Sequence, residues 1–502
     1  DGGHNRAASE LIAQHTRQWR GQDLWVVFGA LNQRPPLECL KPLEGKVRGI
    51  RCLTIPDQEN ALSAEDGADS ARQLNMNPQT ADSVEDAIGS IMDACQGAAP
   101  GRILICGSLY LAGHVLKTNG QRRHTHLPGG HIMSSALFQP FRMRGLDLAN
   151  RIVVAPMCQY SATDGIVGDW HLMHVGQFVI GGHGLFIAEA TAVEPRGRIT
   201  PYCPGLWNDA QMVAWKRVVD FTKTWGNTPI GIQLAHAGRK ASSAKPWHGG
   251  EQVGEVDGGW RTVAPSAVPF DGARPMPQAM SLDDIEQIKR DFTEAARRAD
   301  QAGFDVVEIH AAHGYLLHQF FSPLSNHRDD AYGGSLENRM RLALEIFDVV
   351  REAFPNDKPV GMRISATDWV EGGWDLGDSI ALAHALEDRH CDFVHVSSGG
   401  LSPDQEIPLG PGYQVDLCAA ITDASEIATI AVGMIDDAYQ AETIVRSGQA
   451  DMIALARGML AYPRWTWRAA KALHGEAAYP RQYERALPGF TTMAAPKDPP
   501  PK

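Results

Sequence analysis

Between residues 137 and 475 the chain repeats one beat, a short β-branched run followed by a polar or helical stretch. The runs are Arg151–Pro156 (RIVVAP), Gly184–Val193 (GLFIAEATAV), Pro229–Ala235 (PIGIQLA), Phe304–His310 (FDVVEIH), Pro359–Ser365 (PVGMRIS), Asp392–Ser397 (DFVHVS), Ile427–Val432 (IATIAV) and Asp451–Ala456 (DMIALA), eight in all. Helical patterns separate most of them. The clearest is Ser281–Ala302, where Ser281 opens the helix, Asp283 and Asp284 favour its dipole, and Gly303 ends it. Eight strands alternating with helices predict an α/β fold built on a TIM (β/α)8 barrel, with an open doubly wound sheet as the alternative. No G-x-G-x-x-G follows any run and no G-x-x-x-x-G-K-[ST] occurs, so neither a dinucleotide Rossmann site nor a P-loop is indicated.

Composition narrows the function classes. With 59 acidic against 46 basic residues the net charge is −13, which gives no footing for a phosphate backbone, so no nucleic-acid partner is expected. No apolar run approaches about 18 residues, so no membrane span is expected. The eight cysteines, at 39, 52, 95, 106, 158, 203, 391 and 418, form no C-x-x-C pair. Such sparse use fits reduced thiols and a cytoplasmic protein. DGGHNRAASE at the start has no signal-peptide pattern.

Residues 1–116 read as a small α/β unit preceding the barrel. Asp23–Gly29, Val47–Ile55 and Arg102–Gly107 are candidate strands, Ser83–Cys95 has helical spacing, and Ser108–Leu116 starts a further helix. Strands alternating with helices imply a parallel sheet here too. Polar, His-bearing residues 117–136 read as a linker, 137–486 as the barrel domain, and 487–502 as a Pro-rich tail.

In a TIM barrel the chemistry sits where the strands end. Those ends carry Cys158, Glu189, Gln233, His310, His313, Arg363, Ser397, Gly433 and Arg457. The set holds no carboxylate pair for glycoside hydrolysis and no Ser/His/Asp arrangement. His310 and His313, three apart after the fourth run, suit two donors on a substrate carbonyl oxygen; a packed core histidine or half of a zinc site reads the spacing equally well.

The stretches APMCQYSATDG (155–165), EATAVEPRGRI (189–199), IQLAHAGRKA (232–241), EIHAAHGYLLHQFFSPLSNHRDDAYGGSLENRMR (308–341), MRIS (362–365) and ALARGML (454–460) resemble, in order and across essentially all of 137–486, the old yellow enzyme family in its cysteine-bearing bacterial branch. The resemblance implies an FMN-binding ene-reductase. Hydride would pass from NAD(P)H through flavin N5 to the activated C=C of an α,β-unsaturated carbonyl compound, the nicotinamide leaving before the alkene takes its place. It implies that His310 and His313 hold the carbonyl oxygen and that Tyr315, whose phenol stays protonated at neutral pH, gives a proton to the α-carbon. Cys158 would lie beside the flavin and tune its potential, not act as a covalent nucleophile, with Tyr160 packed near substrate and flavin.

The same resemblance puts the flavin against Ala155, Pro156, Met157, Cys158, Tyr160, Ala190 and Ala456. Gln233 would meet the pyrimidine edge, Arg363 the negative charge at N1/O2, and Gly433 and Arg457 the phosphate. Lys240 would reach the isoalloxazine or a neighbouring carboxylate. Ala155 stands where many relatives have Ser or Thr, so one hydrogen bond to the flavin is expected to be missing. No metal is implied. QYERA (482–486) resembles the segment that sends an Arg into a partner subunit's site, so Arg485 is a candidate substrate-contacting finger and a homodimer or homotetramer is expected.

DGGHN (1–5) and CGSLYLAG (106–113) resemble the C-terminal domain of folylpolyglutamate synthase and dihydrofolate synthase, with Gly3 where the motif has Ala and Arg6 where it has Pro. The P-loop domain that precedes this one in those enzymes is absent from the sequence, so no ligase activity is expected of the front domain. A genuine fusion and a join of two neighbouring genes both explain the arrangement, with Met133 as the flavoenzyme's own start in the second. The rival functions are a related flavin demethylase or dehydrogenase and a non-catalytic fusion scaffold.

Overall fold

The structure, a computed structural model, describes residues 23–32, 35–56, 60–95, 102–107, 111, 135–489 and 493–494. The chain divides into two compact units, Asp1–Ile132 and Met133–Lys502. DGGHN (1–5), Met133, the 117–136 linker except its last two residues, and most of the helix expected over 108–116 lie outside the described residues.

In the first unit four strands, β1 (Leu24–Phe28), β2 (Gly49–Cys52), β3 (Pro78–Thr80) and β4 (Arg102–Cys106), form an all-parallel sheet in the order β3-β2-β1-β4. Its two faces follow from alternation along β1. Val26 and Phe28 pack with Ile50, Cys52, Ala68 and Ala71, whereas Trp25 and Val27 pack with Val84, Ala87 and Ile91 of the helix Val84–Ala94. The sequence reading missed β3 because PQT offers no apolar alternation; a proline strand of this kind is tolerated at a sheet edge, where it lies. It also missed the helix Ala64–Gln73, whose apolar face is made of alanine and glycine.

The second unit opens on an antiparallel pair, β5 (Phe141–Met143) and β6 (Leu146–Leu148). Then come β7 (Ile152–Val154), β8 (Leu185–Ala192) and β9 (Ile230–Ala235), a short parallel pair β10 (Val263–Ala264) and β11 (Gln278–Ala279), and β12 (Val306–Ala311), β13 (Val360–Ser365), β14 (Phe393–Ser397), β15 (Ala428–Ala431) and β16 (Met452–Leu455). The eight long-range strands close a parallel barrel in the order β12-β13-β14-β15-β16-β7-β8-β9, seven of them within an expected run and β12 ending one residue past its run, at Ala311. The helix Leu282–Ala302 forms as the sequence predicts. Ser281 Oγ accepts from Asp284 N (3.1 Å), Ser281 N donates to Asp284 Oδ2 (2.9 Å), and Gly303 closes it at φ +95. Loss of such a cap costs about 1 kcal/mol.

Alternation then sorts every strand. Ile232, Leu234, Val307, Ile309, Met362, Ile364, Val394 and Val396 point out against the helices. Val153, Leu185, Ile187, Val306, Phe393, Ile430 and Met452 point in and fill the lower barrel as an apolar floor. One step nearer the C-terminal ends the inward positions turn polar, with Gln233, Glu308, Arg363 and His395, and then His310, Ser365 and Ser397. Past β16 the chain continues through the helix Trp465–Leu473 and a short parallel pair, β17 (Ala477–Ala478) and β18 (Met493–Ala494), so strand pairing reaches into the segment read as a tail.

Candidate active site

Strand register brings the polar residues together. Gln233 lies opposite Glu308, His310 opposite Arg363, Arg363 opposite His395, and Ser365 opposite Ser397. Above them opens a cavity of about 550 Å³ lined by His313, Arg363, Tyr413, Gly433, Ala456 and Arg457 among others. That volume lies in the range of roughly 300–1,000 Å³ usual for small-molecule sites. Arg363 is 7 % exposed and its Nε has no hydrogen-bond partner. A buried cation left this way is costly unless a ligand supplies the missing acceptor.

Gly433 lies two residues past β15 at φ +131, a conformation that favours glycine and bares its backbone N–H. Arg457 follows β16 directly after Ala456 and opens the short helix Arg457–Ala461. Its guanidinium is in no ion pair among the described residues, and the Asp436 carboxylate lines the same end of the cavity.

The His310 and His313 rings meet edge to face at 5.2 Å between centroids, and His310 meets Tyr315 the same way at 4.9 Å. Burial first, and the neighbouring Arg363 second, hold both imidazoles far below the ordinary histidine pKa, so both are neutral. Ala312 N donates to His310 Nδ1 (3.2 Å), which places the His310 ring proton on Nε2. His313 lines the cavity, and its Nε2 pairs with Ser397 Oγ (2.7 Å), while its Nδ1 has no hydrogen-bond partner among the described residues.

His313 takes a left-handed backbone, φ +58, which is strained for a side chain of this size. The strain is held from two sides. His313 N donates to Ser365 Oγ (2.9 Å), and Lys240 Nζ donates to His313 O and Gly400 O (2.8 Å each). Lys240 therefore bonds two carbonyls, not the carboxylate the sequence reading offered it. Burial, helped by Arg274 and Arg239, pushes its ammonium down to about 7. Its Nζ lies 5.3 Å from the Tyr315 ring centroid.

Burial pushes the Tyr315 phenol and the Cys158 thiol up, so both keep their protons at neutral pH. The Cys158 thiol meets the Ala190 backbone and the Tyr160 side chain, and Ala190 sits just past a register shift between Ala188 and Ala190 in β8. Tyr160, itself left-handed at φ +52, packs edge to face on Trp247 (5.7 Å). Ala155 N donates to Leu455 O, and Met157 packs on the core beside Pro156. Cys158, Tyr160, Gln233, His310 and Tyr315 do not line the cavity. Arg485 is exposed in the helical segment Arg481–Gly489 and does not line it either. Among the described residues no group of three or more His, Cys, Asp or Glu is placed to hold a metal ion. All eight cysteines are free.

Sequence reasoning passed over Glu308 and His395. Both are fully buried and joined at 2.8 Å. The signal was present: each stands two residues before a residue that was selected, His310 and Ser397, and so on the same face of its strand. Tyr413 gave no signal, because it sits in a Gly/Pro-rich loop without periodicity.

The family model for the NADH:flavin oxidoreductase / NADH oxidase family matches residues 136–476. An NADH:flavin oxidoreductase of Gibberella zeae is 46% identical over 333 residues, covering 63% of this chain and 80% of that protein. An NADPH dehydrogenase of Geobacillus thermodenitrificans is 44% identical over 355 residues, covering 70% of this chain and 99% of that one. Among solved structures, morphinone reductase superposes with a TM-score of 0.58 at 29% identity, covering 74% of this chain and 96% of that one. Morphinone reductase has also been seen in complex with tetrahydroNAD. The parallel barrel, the polar ring at its C-terminal ends and these likenesses lead to one conclusion: the chain belongs to the NADH:flavin oxidoreductase family of old yellow enzymes, NAD(P)H-dependent flavin oxidoreductases whose cofactor is FMN.

Proposed function

We propose that the chain reduces the activated C=C of α,β-unsaturated carbonyl compounds. The observation that carries this reading is the neutral, right-angled His310/His313 pair beside Tyr315, with one nitrogen on each ring lacking a protein partner. FMN bound in the cavity supplies the hydride that NAD(P)H has delivered. Of the assigned residues, Arg363, Gly433, Ala456 and Arg457 line that cavity; Arg363 and Gln233 would hold the pyrimidine edge, Gly433 and Arg457 the phosphate, and Ala155, Pro156, Met157, Cys158, Tyr160, Ala190 and Ala456 the remaining surface. His310 Nε2–H and His313 Nδ1 would hold the substrate carbonyl oxygen and stabilise the charge that grows there. Tyr315, kept protonated by burial, would give its proton to the α-carbon. Arg485, exposed on its own chain, is assigned to the site of a second copy.

Anaerobic turnover with NADPH and 2-cyclohexen-1-one, with cyclohexanone quantified, tests the reading. Stoichiometric cyclohexanone supports it; NADPH oxidation by oxygen alone, with no saturated product, rejects it. The front unit is proposed to resemble the folylpolyglutamate synthase C-terminal domain and to be dispensable for this reaction. A chain beginning at Met133 should bind FMN and reduce the enone, and loss of flavin from it would give the front unit a structural role.

A further inference from the structure

Beneath the cavity one carboxylate sits at the junction of three barrel strands. Glu308 on β12 is fully buried. Its Oε1 accepts from Gln233 Nε2 on β9 (2.6 Å), and its Oε2 accepts from His395 Nδ1 on β14 (2.8 Å). Both contacts are in the donor sense that an acceptor-only carboxylate requires, and Arg363 stands in the same ring, paired across the strands with His395. A side-chain amide can present either its oxygen or its nitrogen to a ligand. Here the choice is forced, because Nε2 must turn to the carboxylate, and Oε1 has no hydrogen-bond partner among the described residues. An oxygen so presented selects an N–H donor, which on the pyrimidine edge of an isoalloxazine is the imide N3–H.

The anion also lies near Arg363, whose Nε has no partner of its own. Two unlike charges stand in one dry layer without a direct ion pair, so a ligand above them feels their difference. That layer rests on the apolar floor of Val306, Phe393, Ile430 and Met452, where water has no access from below. Loss of the anion would leave Arg363 unopposed.

We infer that Glu308 is a positioning residue for the flavin: it fixes the orientation of the Gln233 amide that recognises the pyrimidine edge, and its charge holds the flavin's reduction potential down against Arg363. The inference rests on the assignment of Gln233 and Arg363 to that edge. Glu308→Gln keeps the shape but removes the charge and, since an amide both donates and accepts, no longer dictates which end of Gln233 faces it, and Glu308→Asp keeps the charge and withdraws the anchor.

The test reconstitutes the full chain with FMN, measures affinity by fluorescence quenching and measures midpoint potential spectroelectrochemically. E308Q should bind oxidised FMN about tenfold more weakly. It should favour reduced over oxidised flavin about tenfold more than the parent does, an upward shift of about 30 mV for a two-electron couple. E308D should lose affinity with little change in potential. In a Gln233→Ala background, E308Q should no longer change affinity, since it acts through the amide, but should still raise the potential. An E308Q chain with the parent's potential and affinity overturns the inference, as does additive loss of affinity in the double variant. If E308Q does not fold, parental FMN affinity in E308D overturns it. Failure of Q233A itself to weaken FMN binding would instead reject the underlying assignment of Gln233.

Discussion

Replacing either member of the histidine pair should separate the two half-reactions. His310→Ala removes a ring that is 3 % exposed and neutral, with its proton on Nε2. The proposed oxyanion exists only while the alkene is being reduced, so only that step loses a donor. In a site this dry one donor is worth on the order of 100- to 1000-fold in rate, or about 2.7–4 kcal/mol. The cavity volume left by the ring adds a stability cost of a few kcal/mol at most, on the scale of large-to-small core changes. Such a loss lowers the yield of folded protein without changing which half-reaction is slow. His313→Ala should behave alike, and it also releases Ser397 Oγ. Stopped-flow absorbance at the flavin band, first with NADPH under anaerobic conditions and then with cyclohexenone, reads the two steps separately. The alkene step should fall by 100-fold or more and flavin reduction by less than about tenfold. Equal losses in both steps would refute the carbonyl clamp, and so would recovery of activity on adding zinc.

Arg457→Ala should weaken FMN binding about ten- to a hundredfold, the worth of a charge-assisted phosphate contact of roughly 1.5–3 kcal/mol; flavin retained through dialysis as in the parent would remove Arg457 from the phosphate site. Lys240 should make stability rise with pH. Its folded-state pKa of about 7 lies below the unfolded value near 10.4, so between those limits the unfolded chain holds the extra proton and rising pH favours the fold. Melting temperatures of the parent and Lys240→Met from pH 7 to 10 should show this component in the parent alone, and parallel curves would contradict it.

Much of this was legible in the sequence because it is local. Eight β-branched runs need only a period and a length to be seen, and Ser281, Asp284 and Gly303 mark their helix by cap chemistry within a turn at each end. The strand-end residues followed once the barrel was assumed, since Arg363, His313, Gly433 and Arg457 do converge on one cavity. What was not legible depends on partners far apart along the chain. Glu308 is a strand residue like any other until β9 and β14 bring Gln233 and His395 to it. The left-handed His313 and the Lys240 bond that holds its carbonyl depend on the loop carrying Gly400. β3 escaped because an edge strand of three polar-leaning residues owes its place to its neighbour, not to its own pattern.

The apolar floor makes the barrel blind-ended. Val153, Leu185, Ile187, Val306, Phe393, Ile430 and Met452 are all essentially excluded from solvent, so nothing polar crosses the barrel from its N-terminal side. In the proposed reaction, reductant, acceptor, product and the proton that completes it would then share one doorway. A crowded doorway has a kinetic signature: each visitor must clear before the next can enter, so an excess of acceptor slows the turnover it should drive.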